Sequence, residues 1–425
     1  MESLMDESPL DSRADVVVIG GGIVGIASAE AMARRGMKVT VIDRGEIGRC
    51  CSYGNAGWLT PCFAVPLPMP GMLGTAMKWL LDPESPLFIQ PSLKPSVMRW
   101  LLRFLRSMNH DLMLRSVRAL VDLSTVGIDA FRQMHEERSG GIGFEQRGLM
   151  VVAKSEQSLQ SAKASMNLMG AFGVAGSVLD PAEVVQHDPS LGNASAVGGI
   201  FYPNEAHCDP VLVLTALVER AIRHGVKFCT HTEVFDFDFD SRRLLSLNTT
   251  KGRIIAPKFL LATGAWSGAI GKKLKLRIPM MSGKGYSITV PQLESPPRMP
   301  LMLVDRKIAV TPLPGGGAKL AGTLEVVGVD ESITVRRLNA IRNGAATYLA
   351  IPKDAKVSVW RGLRPCLPDG VPIMDRAKGY DNLWIATGHQ MLGLQTAPAS
   401  GALMADLIAG TIPSFDPLPF SASRF

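Results

Sequence analysis

The chain has 425 residues, 46% of them hydrophobic and 20% charged, with a formal net charge of +7. That balance describes a globular protein of two domains or one large composite with a sizeable core, and no run of eighteen uncharged apolar residues offers a transmembrane helix. The basic residues are scattered, with no aromatic-interleaved block, so a nucleic-acid partner is not favoured.

Residues 1–14 carry four acids and no apolar stretch, and are expected to be a disordered lead-in, not a secretory signal. Six cysteines without a CxxC pair predict neither a zinc site nor a disulfide framework, but reduced thiols in a cytoplasmic protein.

The first element is Val16-Val17-Val18-Ile19-Gly20-Gly21-Gly22-Ile23-Val24-Gly25. Helix formers follow over 27–35, then Gly36 as a stop and Lys38-Val39-Thr40-Val41-Ile42-Asp43. This reads as strand, glycine turn, helix and second strand. Gly20 permits the sharp turn, Gly22 lets the backbone approach a pyrophosphate, and Gly25 lets the helix lie close to the sheet. The helix N-terminus then faces the phosphates, and the Asp43 carboxylate accepts from ribose hydroxyls. An adenine dinucleotide is predicted, and the motif alone does not separate FAD from NAD.

Residues 63–95 are rich in proline and leucine. Over 97–108, Val97, Trp100, Leu101, Phe104, Leu105 and Met108 share one helical face, with Arg99, Arg103 and Arg106 opposite. Such a helix more often covers a core than lies on a membrane surface. Strand-like runs at 148–152 and 199–202 flank a helical stretch at 157–172, an α+β pattern. A helix at 210–224 precedes a strand at 226–228, alternation over 232–255 predicts a β-meander, and Phe259-Leu260-Leu261-Ala262-Thr263-Gly264 reads as a buried strand ending in a glycine turn. A second mixed region spans 278–357. Near the end, Leu383-Trp384-Ile385-Ala386-Thr387-Gly388-His389 and a helix over 397–409 form another strand, turn and helix.

Five segments in this order carry a resemblance: the turn ending at Gly25, Ser52-Tyr53-Gly54-Asn55-Ala56-Gly57, Ala262-Thr263-Gly264-Ala265-Trp266-Ser267, Gly362-Leu363-Arg364-Pro365 and Ala386-Thr387-Gly388-His389. Together they resemble the FAD-dependent amine oxidoreductases of the D-amino-acid oxidase family. Ser282-Gly283-Lys284-Gly285-Tyr286-Ser287, with Trp79, Trp100 and Phe104, is most similar to the bacterial D-amino-acid dehydrogenase branch.

The resemblance implies an α/β fold with a Rossmann-like FAD-binding domain of the glutathione-reductase type, formed by 15–64, 209–274 and 358–420. An α+β substrate-binding domain, 65–208 and 275–357, is interleaved with it. FAD would meet Gly20, Gly22, Ile23, Val24 and Gly25 at its pyrophosphate, and Asp43, Arg44 and Val234 at its adenosine end. Ser52, Asn55, Ala56 and Gly57 would lead toward the flavin. Thr263, Gly264, Trp266, Gly362, Gly388, His389, Gly393 and Leu394 complete the expected cradle.

Arg364 matches the arginine that holds the substrate carboxylate in this family, a task suited to a planar, permanently charged fork; Arg361 competes, but the motif favours Arg364. Tyr286 would line the pocket, or else be core. His389 would face the pyrimidine edge of the ring, as a base or as a packed imidazole.

The implied reaction moves a hydride from Cα of a D-amino acid to flavin N5, leaving an imine that hydrolyses to a 2-oxo acid and ammonia. Electrons would pass to a quinone or other carrier. Secondary amines such as D-hydroxyproline, D-proline, sarcosine or glycine are the alternative substrates, and an RNA-modifying flavoprotein is a further alternative. A cytoplasmic enzyme, with peripheral contact at the inner face of the cell membrane left open, is expected. His207 and Asp209 have no partner at ligand spacing, so no metal is expected.

Overall fold

The computed structural model describes residues 14–71, 87–89, 94–326 and 328–425; Trp79 and most of 72–93 lie outside them. The apolar runs Val16–Ile19 and Val39–Ile42 are buried on both faces, as central parallel strands require. The six-stranded sheet around them is ordered Ile373–Arg376, Leu383–Thr387, Lys258–Leu261, Val16–Ile19, Val39–Ile42, Lys227–Cys229. Only the Ile373–Arg376 edge pairs antiparallel.

The helix Ile23–Ala33 is apolar nearly all round because it is enclosed by the sheet and by the helices Gly393–Ala409 and Pro210–Arg223. A Cβ on Gly401 would stand 2.6 Å from the Ala27 carbonyl oxygen, so glycine there sets how closely the two helices approach. The expected meander forms a three-stranded antiparallel sheet, Val234–Asp240, Arg243–Thr249 and Gly252–Ile254.

A larger mixed sheet runs Ser358–Cys366, Met281–Val290, Gly317–Val326, Ile308–Leu313, Leu301–Leu303, Leu149–Ala153, Gly198–Tyr202, Ser177–Leu179, with Leu87–Ile89 also pairing to Gly317–Val326. Ser358–Cys366, grouped by sequence with the dinucleotide unit, is hydrogen-bonded into this second sheet. As an edge strand it tolerates Pro365, which has no N–H to donate.

The longest helix, His110–Glu137, is absent from the sequence reading. Its start is fixed by the Asn109 side chain, which accepts from the amides of Asp111 and Leu112 at 3.0 and 3.1 Å. The last helix begins at Gly393 instead of 397 and contains Pro398.

The amphipathic helix is Pro95–Arg106, and it covers core: Trp100 and Phe104 are buried and stacked at 5.1 Å, and Trp100 Nε1 donates to the Cys366 carbonyl at 3.3 Å. Leu105, expected on the buried face, is 46% exposed, beside exposed Met98 and Leu102. Among the described residues no helix is long and apolar enough to cross a membrane.

Candidate active site

The first glycine turn combines three glycines with three different reasons. Gly20 has φ +111°, and a Cβ there would lie 2.5 Å from the Ala262 carbonyl oxygen. A Cβ on Gly25 would overlap the Gly20 carbonyl oxygen. Gly22 has an ordinary φ of −75°, and a Cβ would find only Ser52 Oγ, at 3.8 Å, within 4 Å. Nothing in the protein's own packing requires glycine at 22, so the space it leaves above a helix N-terminus fits a phosphate group from outside.

Asp43 holds the turn before it can hold a ligand. Its Oδ2 accepts from the Gly21 amide at 2.7 Å and its Oδ1 from Gly45 at 2.9 Å; burial raises its carboxyl pKa, opposed by these two bonds. Arg44 stacks over the Trp266 ring at 4.3 Å, and the Thr232 amide donates to the Asp43 carbonyl at 2.7 Å, which carries the chain toward Val234. The expected adenosine-end residues therefore converge. Ser52 Oγ accepts from the Ile23 amide at 3.1 Å and so supplies the helix cap that Gly22 lacks.

The segment from Asn55 to Trp58 is pinned from the second sheet. Asn55 Oδ1 accepts from the Gly57 amide at 2.9 Å; Thr311 Oγ1 donates to the Ala56 carbonyl at 2.7 Å and accepts from Trp58 Nε1 at 2.9 Å. Lys319 Nζ donates to the Asn55 carbonyl at 3.1 Å, and burial lowers its pKa. Lys319 and Thr311 escaped the sequence reading. The available signal was a lone lysine within Gly317-Ala318-Lys319-Leu320-Ala321, where an apolar strand gives a cation no other reason to sit.

Thr263 Oγ1, Ser267 Oγ and Thr387 Oγ1 form a chain at 3.0 and 2.8 Å, and Thr387 Oγ1 donates to the Gly264 carbonyl at 3.1 Å. This chain ties the two turns at the ends of adjacent parallel strands, Lys258–Leu261 and Leu383–Thr387, to each other. Gly362 and Gly54 each lie where a Cβ would strike the Trp360 indole, so at both positions the missing side chain makes room for tryptophan. Leu394 is in the core of the first sheet.

Arg364 lies across Gly285, where a Cβ would collide with the guanidinium. Its Nη1 donates to the Thr323 carbonyl at 2.6 Å, and among the described residues it makes no ion pair. Burial lowers its pKa, opposed by the nearby Cys51 and Cys366 sulfurs. Those thiols are themselves pushed up by burial, to about 11 and about 12, so they stay neutral beside it. A half-buried guanidinium with no acid beside it among the described residues is an arrangement that an external carboxylate completes.

For two expected catalytic residues the structure bears on the alternatives left open above; His389 bridges to Cys366 beside the arginine strand, and Tyr286 turns the other way. Tyr286 is 1% exposed, and its hydroxyl donates to Glu325 Oε2 at 2.8 Å while accepting from the Thr334 amide at 3.2 Å. It shares a strand face with Lys284, in a buried network with Glu325 and Arg337, whereas Gly283 and Gly285 put their face toward Arg364 and Cys366. Tyr286 is thus core on the opposite face of the sheet. His389 is buried with Nε2 3.1 Å from Ser400 Oγ, and burial lowers its pKa to about 3. It is a packed imidazole, the second of the two readings given above. Gln390, next to it, is 8% exposed with φ +50°, its Nε2 has no partner among the described residues, and its amide donates to the Pro365 carbonyl at 3.1 Å.

This combination of cradle and half-buried arginine is that of a flavin-dependent oxidoreductase, and the chain belongs to the FAD dependent oxidoreductase (DAO) family, which matches residues 15–407. FAD is its cofactor. Among its relatives, the D-amino acid dehydrogenase of Methylobacterium sp. (strain 4-46) is 31% identical over 417 residues, covering 96% of this chain and 99% of that one. That of Chromohalobacter salexigens is 32% identical over 426 residues, covering 96% and 99%. Glycine oxidase from Geobacillus kaustophilus shares the fold with a TM-score of 0.79 at 23% identity, over 97% of this chain and 99% of that one. L-proline dehydrogenase from P. horikoshii does so with a TM-score of 0.77 at 22% identity, over 98% of each.

Proposed function

We propose that the chain is an FAD-dependent dehydrogenase that oxidatively deaminates D-amino acids. Arg364 carries this reading: its guanidinium is half-buried, has no acid beside it among the described residues, and is given room by Gly285. Relatives at 31–32% identity over nearly the whole chain that are themselves D-amino acid dehydrogenases support the D configuration. FAD, when bound, accepts the hydride that leaves the substrate Cα, and the resulting imine hydrolyses to a 2-oxo acid and ammonia.

The protein's task is orientation: Arg364 fixes the carboxylate, and thereby the direction of the Cα hydrogen. With Tyr286 held by Glu325 and His389 neutral against Ser400, neither offers a base to the amine. The substrate amine therefore arrives neutral, and kcat/KM rises with pH until the amine's own ionisation is complete. Anaerobic mixing with D-alanine, L-alanine and D-proline tests the reading by flavin absorbance; reduction by L-alanine alone, or by none of an amino-acid panel, refutes it.

For the electron acceptor, the favoured reading is a membrane quinone. Met98, Leu102 and Leu105 are exposed on the same short helix as exposed Arg99 and Arg106, a pattern that suits an anionic lipid surface. Co-sedimentation with anionic vesicles that L102E/L105E abolishes is the expected result. Rapid peroxide formation in air without dye or quinone contradicts it.

A further inference from the structure

The strand Gly317–Val326 is irregular at one place. Lys284 pairs with Glu325 and Tyr286 pairs with Gly322, so Thr323 and Leu324 together oppose the single residue Gly285. This is a β-bulge, and its first residue, Thr323, has φ +59°. Glycine is the residue suited to that conformation, and a β-branched side chain there is a clear outlier. A glycine stands one position earlier, at 322, yet the left-handed place is held by threonine.

The strained conformation has two visible consequences. It turns the Thr323 carbonyl onto Arg364 Nη1 at 2.6 Å, and it leaves Thr323 Oγ1 buried without a hydrogen-bond partner among the described residues. Buried hydroxyls ordinarily find partners, and strain retained at a bulge commonly marks a functional site. Leu324 packs with Trp100, Phe104 and Cys366, which supplies an apolar wall on the same side of the sheet. Among the described residues, the guanidinium and the hydroxyl of the residue whose carbonyl it holds both lack an anionic acceptor.

We propose that Thr323 is a substrate-binding residue whose hydroxyl donates to the amino-acid carboxylate held by Arg364, while its backbone carbonyl positions that arginine. This rests on the carboxylate role of Arg364 proposed above. One substrate carboxylate oxygen receives the hydroxyl, and the guanidinium fork takes the remaining lone pairs. The bulge thus provides at one residue both the brace for the arginine and an additional donor, which explains why glycine does not occupy it.

Three variants separate these roles. T323V keeps the branched shape but loses the hydroxyl, T323S keeps the hydroxyl, and T323G relieves the left-handed backbone. In the holoenzyme, T323V is expected to raise KM for D-alanine about tenfold or more, with a much smaller change in kcat, as loss of one hydrogen bond to a charged group implies. T323S stays within about threefold of wild type. T323G binds as weakly as T323V yet melts no lower than wild type, since the strain is gone.

Titration of the oxidised enzyme with benzoate, read by the flavin spectrum, gives the same order for a carboxylate that cannot turn over. A T323V enzyme with wild-type KM and benzoate affinity, or a T323S enzyme as impaired as T323V, overturns the assignment. If wild-type enzyme is reduced by no amino acid, the proposed function falls, and the benzoate series still decides the role of Thr323.

Discussion

Replacing Arg364 by methionine removes a half-buried cation while keeping an unbranched side chain of comparable reach. The guanidinium spends one N–H on the Thr323 carbonyl, which leaves enough donors for a bidentate carboxylate. Each charge-assisted bond contributes about 1.5–3 kcal/mol, so losing two costs about 3–6 kcal/mol and lowers kcat/KM about 10²–10⁴-fold. R364K keeps the charge and loses the fork, and should fall between wild type and R364M.

The ligand-free protein responds in the opposite direction. With no acid to compensate it among the described residues, the cation is a desolvation cost, so R364M should unfold at an equal or higher temperature than wild type in the absence of substrate. Anaerobic stopped-flow reduction by D-alanine and thermal unfolding of the same preparations measure both effects. R364M retaining kcat/KM within tenfold, or losing more than about 2 kcal/mol of stability, would show that the guanidinium serves the fold instead of a ligand.

Two further tests address the cradle and the pH response. G22A should fold normally but lose FAD affinity, because its methyl enters free space above the helix start, whereas G25A should destabilise the fold itself, because its methyl strikes the Gly20 carbonyl; flavin content and melting temperature after purification separate the two. Glu205 is 1% exposed, and burial raises its carboxyl pKa to about 8 from 4.5, so the folded state holds its proton where the unfolded chain has released it. That contribution is complete below pH 4.5 and is lost as pH rises toward 8, by up to about 1.4 kcal/mol per pH unit. His207 and His389, lowered to about 4 and about 3 by burial, act with the opposite sign and cost stability as pH falls below 6.5. Wild type should therefore be most stable near pH 6.5 and E205Q should stay level from there to pH 8; parallel denaturant-unfolding curves for the two proteins across that interval would refute the assignment.

The parts of this protein legible from sequence are those where the backbone itself selects the residue. Gly20 and Gly25 are fixed by a positive φ and by a carbonyl that leaves no room, and Val16–Ile19 by burial on two faces, so each is visible within a short stretch. Tyr286 and His389 each kept two readings in the sequence because their roles depend on partners outside their own segment. Alternation along Met281–Val290 shows two faces but does not say which one meets Arg364; that is decided by pairing with Ser358–Cys366 and by the bulge opposite Gly285.

A signal was nonetheless present in Gly283-Lys284-Gly285-Tyr286, because two glycines on one strand face vacate the volume that Arg364 and Leu324 fill, and this leaves Lys284 and Tyr286 to the other face. For His389 the missing fact was the helix start. The sequence reads as a helix from 397, but the helix begins at Gly393 and carries Ser400 to the imidazole at 3.1 Å. Thr323 left no such trace, since a left-handed threonine in a strand contradicts every local preference of its residue type. Positions where local preference and structure disagree are often where a fold spends stability on function, and one such position, Thr323, holds the arginine that has no acid beside it among the described residues.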